Sequence, residues 1–188
     1  MNKLVAFCGS PRPNGLTRQL IDHIISGAVS VGVEISFYDL NMAGIRGCQH
    51  CLYCRQHYGC SIHDPLSSMY IDIENASSIL WGTPIYFHGL SGQSKIWLDR
   101  LYPMFDTSSY RARFPGKNMV TVFSQGYEDA NLYRDVINNT NSLFNRFGWS
   151  IVETFHVCGV GPIAPQVLDY AYYIGQCLKD PDRTQLYR

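Results

Sequence analysis

The chain has 188 residues, with 15 basic and 15 acidic side chains and no formal net charge. That length supports one domain able to bury a hydrophobic core without disulfide staples. The balanced charge gives no field to gather nucleic acid or an anionic membrane surface, so small molecules or proteins are the expected partners.

Leu4 to Phe7 is a continuous apolar run closed by Gly9-Ser10-Pro11. It is too short for a signal-peptide core and reads as a strand buried on both faces. No run is long enough to cross a bilayer. A cytoplasmic location is therefore expected, where thiols stay reduced and clustered cysteines favour metal or redox chemistry over structural disulfides. Leu16, Leu20, Ile21, Ile24, Ile25, Ala28 and Val29 recur at helical spacing, with Gly32 as the stop. Ile35 to Leu40 forms a second strand. The stretch over 41–65 is long for a connection inside a domain and holds Cys48, Cys51, Cys54 and Cys60.

Leu66, Met69, Tyr70 and Ile73 mark a short helix, and Ser78 to Gly82 a third strand that Pro84 ends. Ser91 has N-cap chemistry for a helix carrying Ile96, Trp97, Leu98 and Leu101. Asp99 and Arg100 at its end read as a charge pair meeting solvent. Met119 to Phe123 is a fourth strand, and Leu132, Val136, Thr140, Leu143 and Phe147 give another helical face. Ile151 to Val157 is the fifth strand. Val167, Leu168, Ala171, Gly175 and Leu178 form the closing helix, with Pro181 beyond its end. Cys8, Cys158 and Cys177 read as small buried hydrophobes, and His50, His57 and His63 as solvent-facing.

Strand and helix alternate five times, which predicts an α/β fold: a parallel sheet covered on both faces, joined by right-handed crossovers. No repeat or linker divides it, so 1–188 is one domain with a cysteine-rich insertion over 41–65. Ligands in such sheets sit beyond the carboxyl ends of the strands, which selects loops 9–17, 82–90 and 124–128. The first loop is neither a Walker A sequence nor GxGxxG. Its Ser10, Asn14 and Thr17, with Arg12 near the mouth, can surround a monophosphate, and a plain polar turn suits the same composition. Cys48, Cys51, Cys54 and Cys60 have the spacing CxxCxxCxxxxxC, open to a [4Fe-4S] cluster, to zinc or to no metal.

GSPRPNGLT at 9–17, SILWGTPIYFHGLSGQSKIWLDRL at 78–101 and the cysteine run between them resemble the NAD(P)H-dependent FMN reductases and their relatives, the iron-sulfur flavoproteins. The resemblance implies a flavodoxin-like three-layer sandwich with a five-stranded sheet of order 2-1-3-4-5. It implies FMN as cofactor, NAD(P)H as donor, a small-molecule acceptor such as a flavin or quinone, or a redox protein, and a homodimer or homotetramer. It sets Ser10, Arg12, Asn14, Leu16 and Thr17 around the FMN phosphate, with Leu16 acting through its backbone. Pro84, Ile85, Tyr86 and Phe87 are implied against the isoalloxazine, where the loop offers apolar surface and backbone donors. Tyr86 and Phe87 as plain core or interface aromatics are the alternative. Thr83 stands where the family more often has serine, and of the next loop's glycines only Gly126 matches. There Gln125 is set to hydrogen-bond the pyrimidine edge and Tyr127 to stack.

No catalytic side chain is expected, because the flavin carries the chemistry. With 13 tyrosines, nine phenylalanines and three tryptophans, there is apolar surface for a dimer contact, to which Tyr102 to Phe105 and Tyr110 to Phe114 contribute. Three functions stay open: an FMN-dependent oxidoreductase, an electron carrier with a [4Fe-4S] cluster on the cysteines, and a non-catalytic binding module.

Overall fold

The computed structural model of the chain describes residues 2–106 and 108–180, which leaves Pro181 outside the described residues. Five parallel strands form its sheet: β1 (Lys3–Cys8), β2 (Glu34–Asp39), β3 (Ser78–Tyr86), β4 (Lys117–Gln125) and β5 (Trp149–Cys158). Their order is β2-β1-β3-β4-β5, the expected arrangement, with one addition. A two-residue strand, Gly89–Leu90, folds back antiparallel on the end of β3. The chain leaves β1 for β2 on one side and returns to β3 on the other, so the switch point lies between β1 and β3.

Alternation along each strand sends neighbouring residues to opposite faces. Leu4, Ala6 and Leu80 pack with Val120 and Val122 under α1 (Leu16–Ser30) and α5 (Pro165–Cys177). Val5, Phe7, Ile79, Trp81 and Phe123 face α2 (Met69–Asn75), α3 (Gly92–Asp99) and α4 (Arg134–Arg146). Covering both faces is what made the strands read as unbroken apolar runs. Among the described residues no helix is long and apolar enough to cross a membrane.

Three expectations need correction. Pro84 does not end β3, which continues to Tyr86. Pairing with β1 stops at Gly82 while pairing with β4 runs to Pro84, so the tip of β3 behaves as an edge strand, where proline is tolerated. In α4 the buried residues are Ile137, Thr140 and Phe144, while Leu132 precedes the helix and is exposed. The helix starts at Arg134, so Leu132 alone leaves the expected face: Thr140 and Phe147 are buried, and Val136 and Leu143 pack against the core from partly buried positions. Finally, Met104 is buried and Phe105 stacks on Phe147 at 4.4 Å, leaving Tyr102 and Tyr110 as the exposed aromatics of the two segments proposed for a dimer contact.

Helices α1 and α5 touch through their backbones. A Cβ on Gly27 would lie 1.9 Å from the Tyr172 carbonyl oxygen, and one on Gly175 only 2.0 Å from that of Ile24. Neither neighbour is a side chain that can turn away. Gly175→Ala is expected to cost about 1–3 kcal/mol through overpacking, seen as a lower urea midpoint with unchanged slope.

Candidate functional site

At the carboxyl edge of the sheet the loops after β1, β3, β4 and β5 enclose a cleft of about 340 Å³. Ser10, Arg12, Asn14, Leu16, Thr17, Pro84, Ile85, Tyr86, Gln125 and Gly126 all line it. A buried set of hydrogen bonds fixes the loops to one another. The Gly9 N–H donates to the Gly82 carbonyl at 2.8 Å. Ser91, the N-cap of α3 as expected, accepts from the Ser94 N–H at 3.1 Å and donates its hydroxyl proton to the Gly9 carbonyl at 2.7 Å. Thr83 Oγ1 accepts the Ser91 N–H at 3.2 Å, so the threonine keeps a hydroxyl where serine is usual.

The start of α1 is built for an anion. Its N-cap, Gly15, offers no side-chain cap, and no acidic residue occupies the first turn. The first N–H groups of a helix lack intrahelical partners and carry the positive end of its dipole. Ser10 Oγ accepts the Arg12 N–H at 3.2 Å, and the buried hydroxyls of Thr17 and Ser124 meet at 2.7 Å in the cleft wall. Among the described residues lining the cleft, Arg12 alone is charged. Pro84, Ile85, Val160 and Pro162 add apolar walls. A carboxylate-free polar cradle beside an apolar slot fits a phosphate tail and a planar ring.

The loop after β5, Gly159-Val160-Gly161-Pro162, also lines the cleft and was missed. Its glycines, following a fifth strand at the same sheet edge, were the available signal. Gln125 serves this wall differently from expectation. Its Nε2 donates to the carbonyls of Tyr127 at 3.0 Å and Asp129 at 2.8 Å, so its amide protons are committed to the 126–129 loop. Its Oε1 accepts from His156 Nε2 at 2.8 Å, which fixes the proton of that imidazole on Nε2. Burial lowers the His156 pKa, keeping the ring neutral. Cys158 is half-buried with Sγ 3.5 Å from His156 Nε2, rather than a plain core residue. Cys8 and Cys177 are buried as expected.

Phe87 lies outside the cleft, fully exposed, beside a neighbouring recess of about 440 Å³ that it lines with Tyr86, His88, Tyr127 and Tyr133. Tyr86 pairs with Gly89, leaving Phe87 and His88 as a two-residue turn with φ of 46° and 61°. Both residues take the left-handed conformation that a type I′ hairpin demands and that side chains disfavour. Replacing them together by Asn-Gly is expected to raise stability by about 1–2 kcal/mol in urea unfolding.

The four clustered cysteines are free thiols around a second cavity of about 250 Å³, shared with Leu52, Tyr53 and Tyr102. Left-handed His50, Leu52 and Gly59 wind the segment around it. The Ser61 hydroxyl, 3.1 Å from Cys51 Sγ, holds that exposed thiol below its usual pKa, and burial pushes Cys54 up. Among the described residues no three His, Cys, Asp or Glu side chains converge as one metal ion requires. A zinc site is therefore not preformed. The four thiols instead line one cavity together. His50, His57 and His63 are exposed, as expected.

Asp99 and Arg100 do not pair. Asp99 bonds Lys95 at 2.6 Å, whereas the Arg100 side chain is wholly buried and meets Asp64 at 2.7 Å. Burial works to raise the Asp64 carboxyl, but hydrogen bonds from Arg100 and from the N–H groups of Arg46 and Leu66 outweigh it and hold the pKa below the usual value. Folding stability from this group is full above the unfolded carboxylate pKa of about 4 and is lost as pH falls through the lower folded value. Urea unfolding at pH 7 and pH 3 is expected to show that loss, and a smaller loss in Asp64→Asn, which is already destabilised at pH 7 by about 3–5 kcal/mol.

Residues 2–146 match the family described as NADPH-dependent FMN reductase. An iron-sulfur flavoprotein of Methanocaldococcus jannaschii is 31% identical over 102 residues, covering 54% of this chain and 53% of its own length. One from Archaeoglobus fulgidus is 22% identical over 167 residues, 89% of this chain and 72% of its own. The chain spans about half the length of the first of these relatives. Among solved structures, an NAD(P)H:quinone oxidoreductase from Methanothermobacter marburgensis is 17% identical with a TM-score of 0.69, covering 95% of this chain and 97% of its own. An FMN-dependent NADH-azoreductase from Bacillus anthracis in complex with FMN is 14% identical with a TM-score of 0.67, covering 95% of this chain and 98% of its own. These two likenesses speak to the fold.

Proposed function

Because the chain belongs to the NADPH-dependent FMN reductase family, we propose that it is an FMN-dependent oxidoreductase carrying electrons from NAD(P)H to a small-molecule acceptor. One observation carries this reading: the carboxylate-free cradle at the start of α1 opens directly into an apolar slot. Bound FMN supplies hydride acceptance and electron delivery. The backbone at Leu16, the hydroxyls of Ser10 and Thr17, Asn14 and Arg12 hold the phosphate. Pro84, Ile85 and Tyr86 wall one side of the ring. Gly126, in the loop that Gln125 pins, would line the other with Val160, and Phe87 lines the adjoining recess, which shares Ile85, Tyr86 and Gly126 with the cleft.

Donor and acceptor enter by the mouth of the cleft and this recess. Its Phe87, Val160 and Tyr127 are 102%, 86% and 65% exposed, which supports a homodimer closing over it. Sedimentation of wild type and Phe87→Asp checks this, a monomeric wild type ending it. For the cofactor, the folded protein is expected to bind FMN at micromolar concentration or tighter, and the flavin to bleach under anaerobic NADH or NADPH. Thr17→Val removes a buried hydroxyl from the cradle and should weaken FMN binding about tenfold by fluorescence titration. Protein that refuses FMN sinks the reading, and flavin that stays oxidised with both nicotinamides would end it in favour of a binding module or an electron carrier served by another donor.

A second reading is supported by the shared cavity of Cys48, Cys51, Cys54 and Cys60: an electron carrier with a [4Fe-4S] cluster on those thiolates. Anaerobically purified protein would then contain about four iron and four sulfide per chain. Iron-free protein that stays iron-free after anaerobic reconstitution removes it.

A further inference from the structure

The segment that carries the four thiols leaves the fold and re-enters it at one point. Arg46 stands two residues before Cys48, and Asp64 four residues after Cys60. The Arg46 N–H donates to Asp64 Oδ2 at 3.0 Å, and its carbonyl accepts from Arg100 Nη1 at 2.8 Å. The same Nη1 donates to Asp64 Oδ2 at 2.7 Å, and Nη2 reaches Oδ1 at 3.3 Å. One guanidinium thus holds the carbonyl of the entering residue and the carboxylate of the leaving residue, and that carboxylate in turn holds the entering N–H. Tyr70 steadies that group: its hydroxyl accepts from Arg100 Nε at 3.3 Å and donates to the Arg100 carbonyl at 2.9 Å. The side chains of the pair are 0% and 2% exposed.

We infer that Arg100 and Asp64 are positioning residues of the thiol cavity: they close the neck of segment 47–63 and so set Cys48 against Cys60. The inference rests on the iron-sulfur reading for its occupant and on the hydrogen bonds for its geometry. The CxxC spacing of Cys48, Cys51 and Cys54 is local and survives a loosened neck. Cys60 arrives from the far limb, and closure of the neck, together with the Ser61 contact to Cys51 and the Tyr58 attachment to Tyr70, brings it to the others. A planar guanidinium can bridge a carboxylate and a carbonyl together, whereas an ammonium group of shorter reach cannot match both. Arg100 also follows the last residue of α3, the helix whose N-cap is fixed to the first cleft loop, so the neck is referenced to the rigid body of the fold.

Two variants and two readouts test this. Arg100→Lys keeps the charge, Asp64→Asn keeps the shape, and unchanged FMN affinity identifies either as folded. Anaerobic reconstitution with ferrous iron and sulfide should load the folded variants about tenfold more weakly than wild type, measured as bound iron and thiolate-to-iron absorption. Independently of any metal, Cys51→Ser with Cys54→Ser leaves Cys48 and Cys60 to equilibrate with glutathione. In that reaction the two thiols are oxidised to one disulfide as glutathione disulfide is reduced to two thiols. The effective concentration of the pair should fall at least about tenfold when Arg100→Lys or Asp64→Asn is added. Folded variants with wild-type iron loading and an unchanged effective concentration would overturn the inference. If wild type takes no iron yet the effective concentration falls, the neck inference stands and the cluster reading is the one that fails.

Discussion

The hydroxyl of Ser91, wholly buried, is the junction on which the cleft depends. By capping α3 and bonding the Gly9 carbonyl it makes the start of that helix and the end of β1 a single unit, and through Thr83 it adds the end of β3. Losing it would leave a buried carbonyl and a buried N–H without partners, a larger penalty than one hydrogen bond is worth. The cradle and the slot are therefore preformed walls of one cavity. A ligand entering it need not order those loops, which favours affinity.

The same helix carries order from the cleft to the thiol segment. Eight residues of α3 span about 12 Å, from Ser91 at the cleft to Arg100 at the neck of the thiol segment. A buried ion pair is a poor source of net stability, since two charges lose their water to form it. Here the pair also engages the Arg46 carbonyl, the N–H groups of Arg46 and Leu66 and the Tyr70 hydroxyl, so its contribution is to the shape of a long irregular loop that has little core of its own. Tyr58, whose hydroxyl donates to the Tyr70 carbonyl at 3.0 Å, adds a second attachment within that loop.

Local strain gathers at the mouth of the cleft. Two consecutive side chains take positive φ there, Phe87 fully exposed and His88 packed only edge-on against Tyr133. Departures from local preference without a folding benefit are common at binding and catalytic edges. On the far wall, Gln125 and His156 use their polar capacity on each other and on loop carbonyls, making that wall as fixed as the Ser91 side.

The sequence by itself determined the alternation of strands and helices, the cap at Ser91, the polar loop at the start of α1 and the clustering of four thiols. Each follows from residues close along the chain: periodicity, turn chemistry and spacing are local properties. Only the tertiary structure decided that β3 runs through Pro84, because that rests on where β1 stops. It alone gave Arg100 a partner 36 positions away in Asp64, put the 159–162 loop beside the first, and spent the amide of Gln125 inside its own wall. Those outcomes depend on which distant groups the packed sheet brings within hydrogen-bond reach, and a pairwise contact of that kind leaves no period in the chain to read.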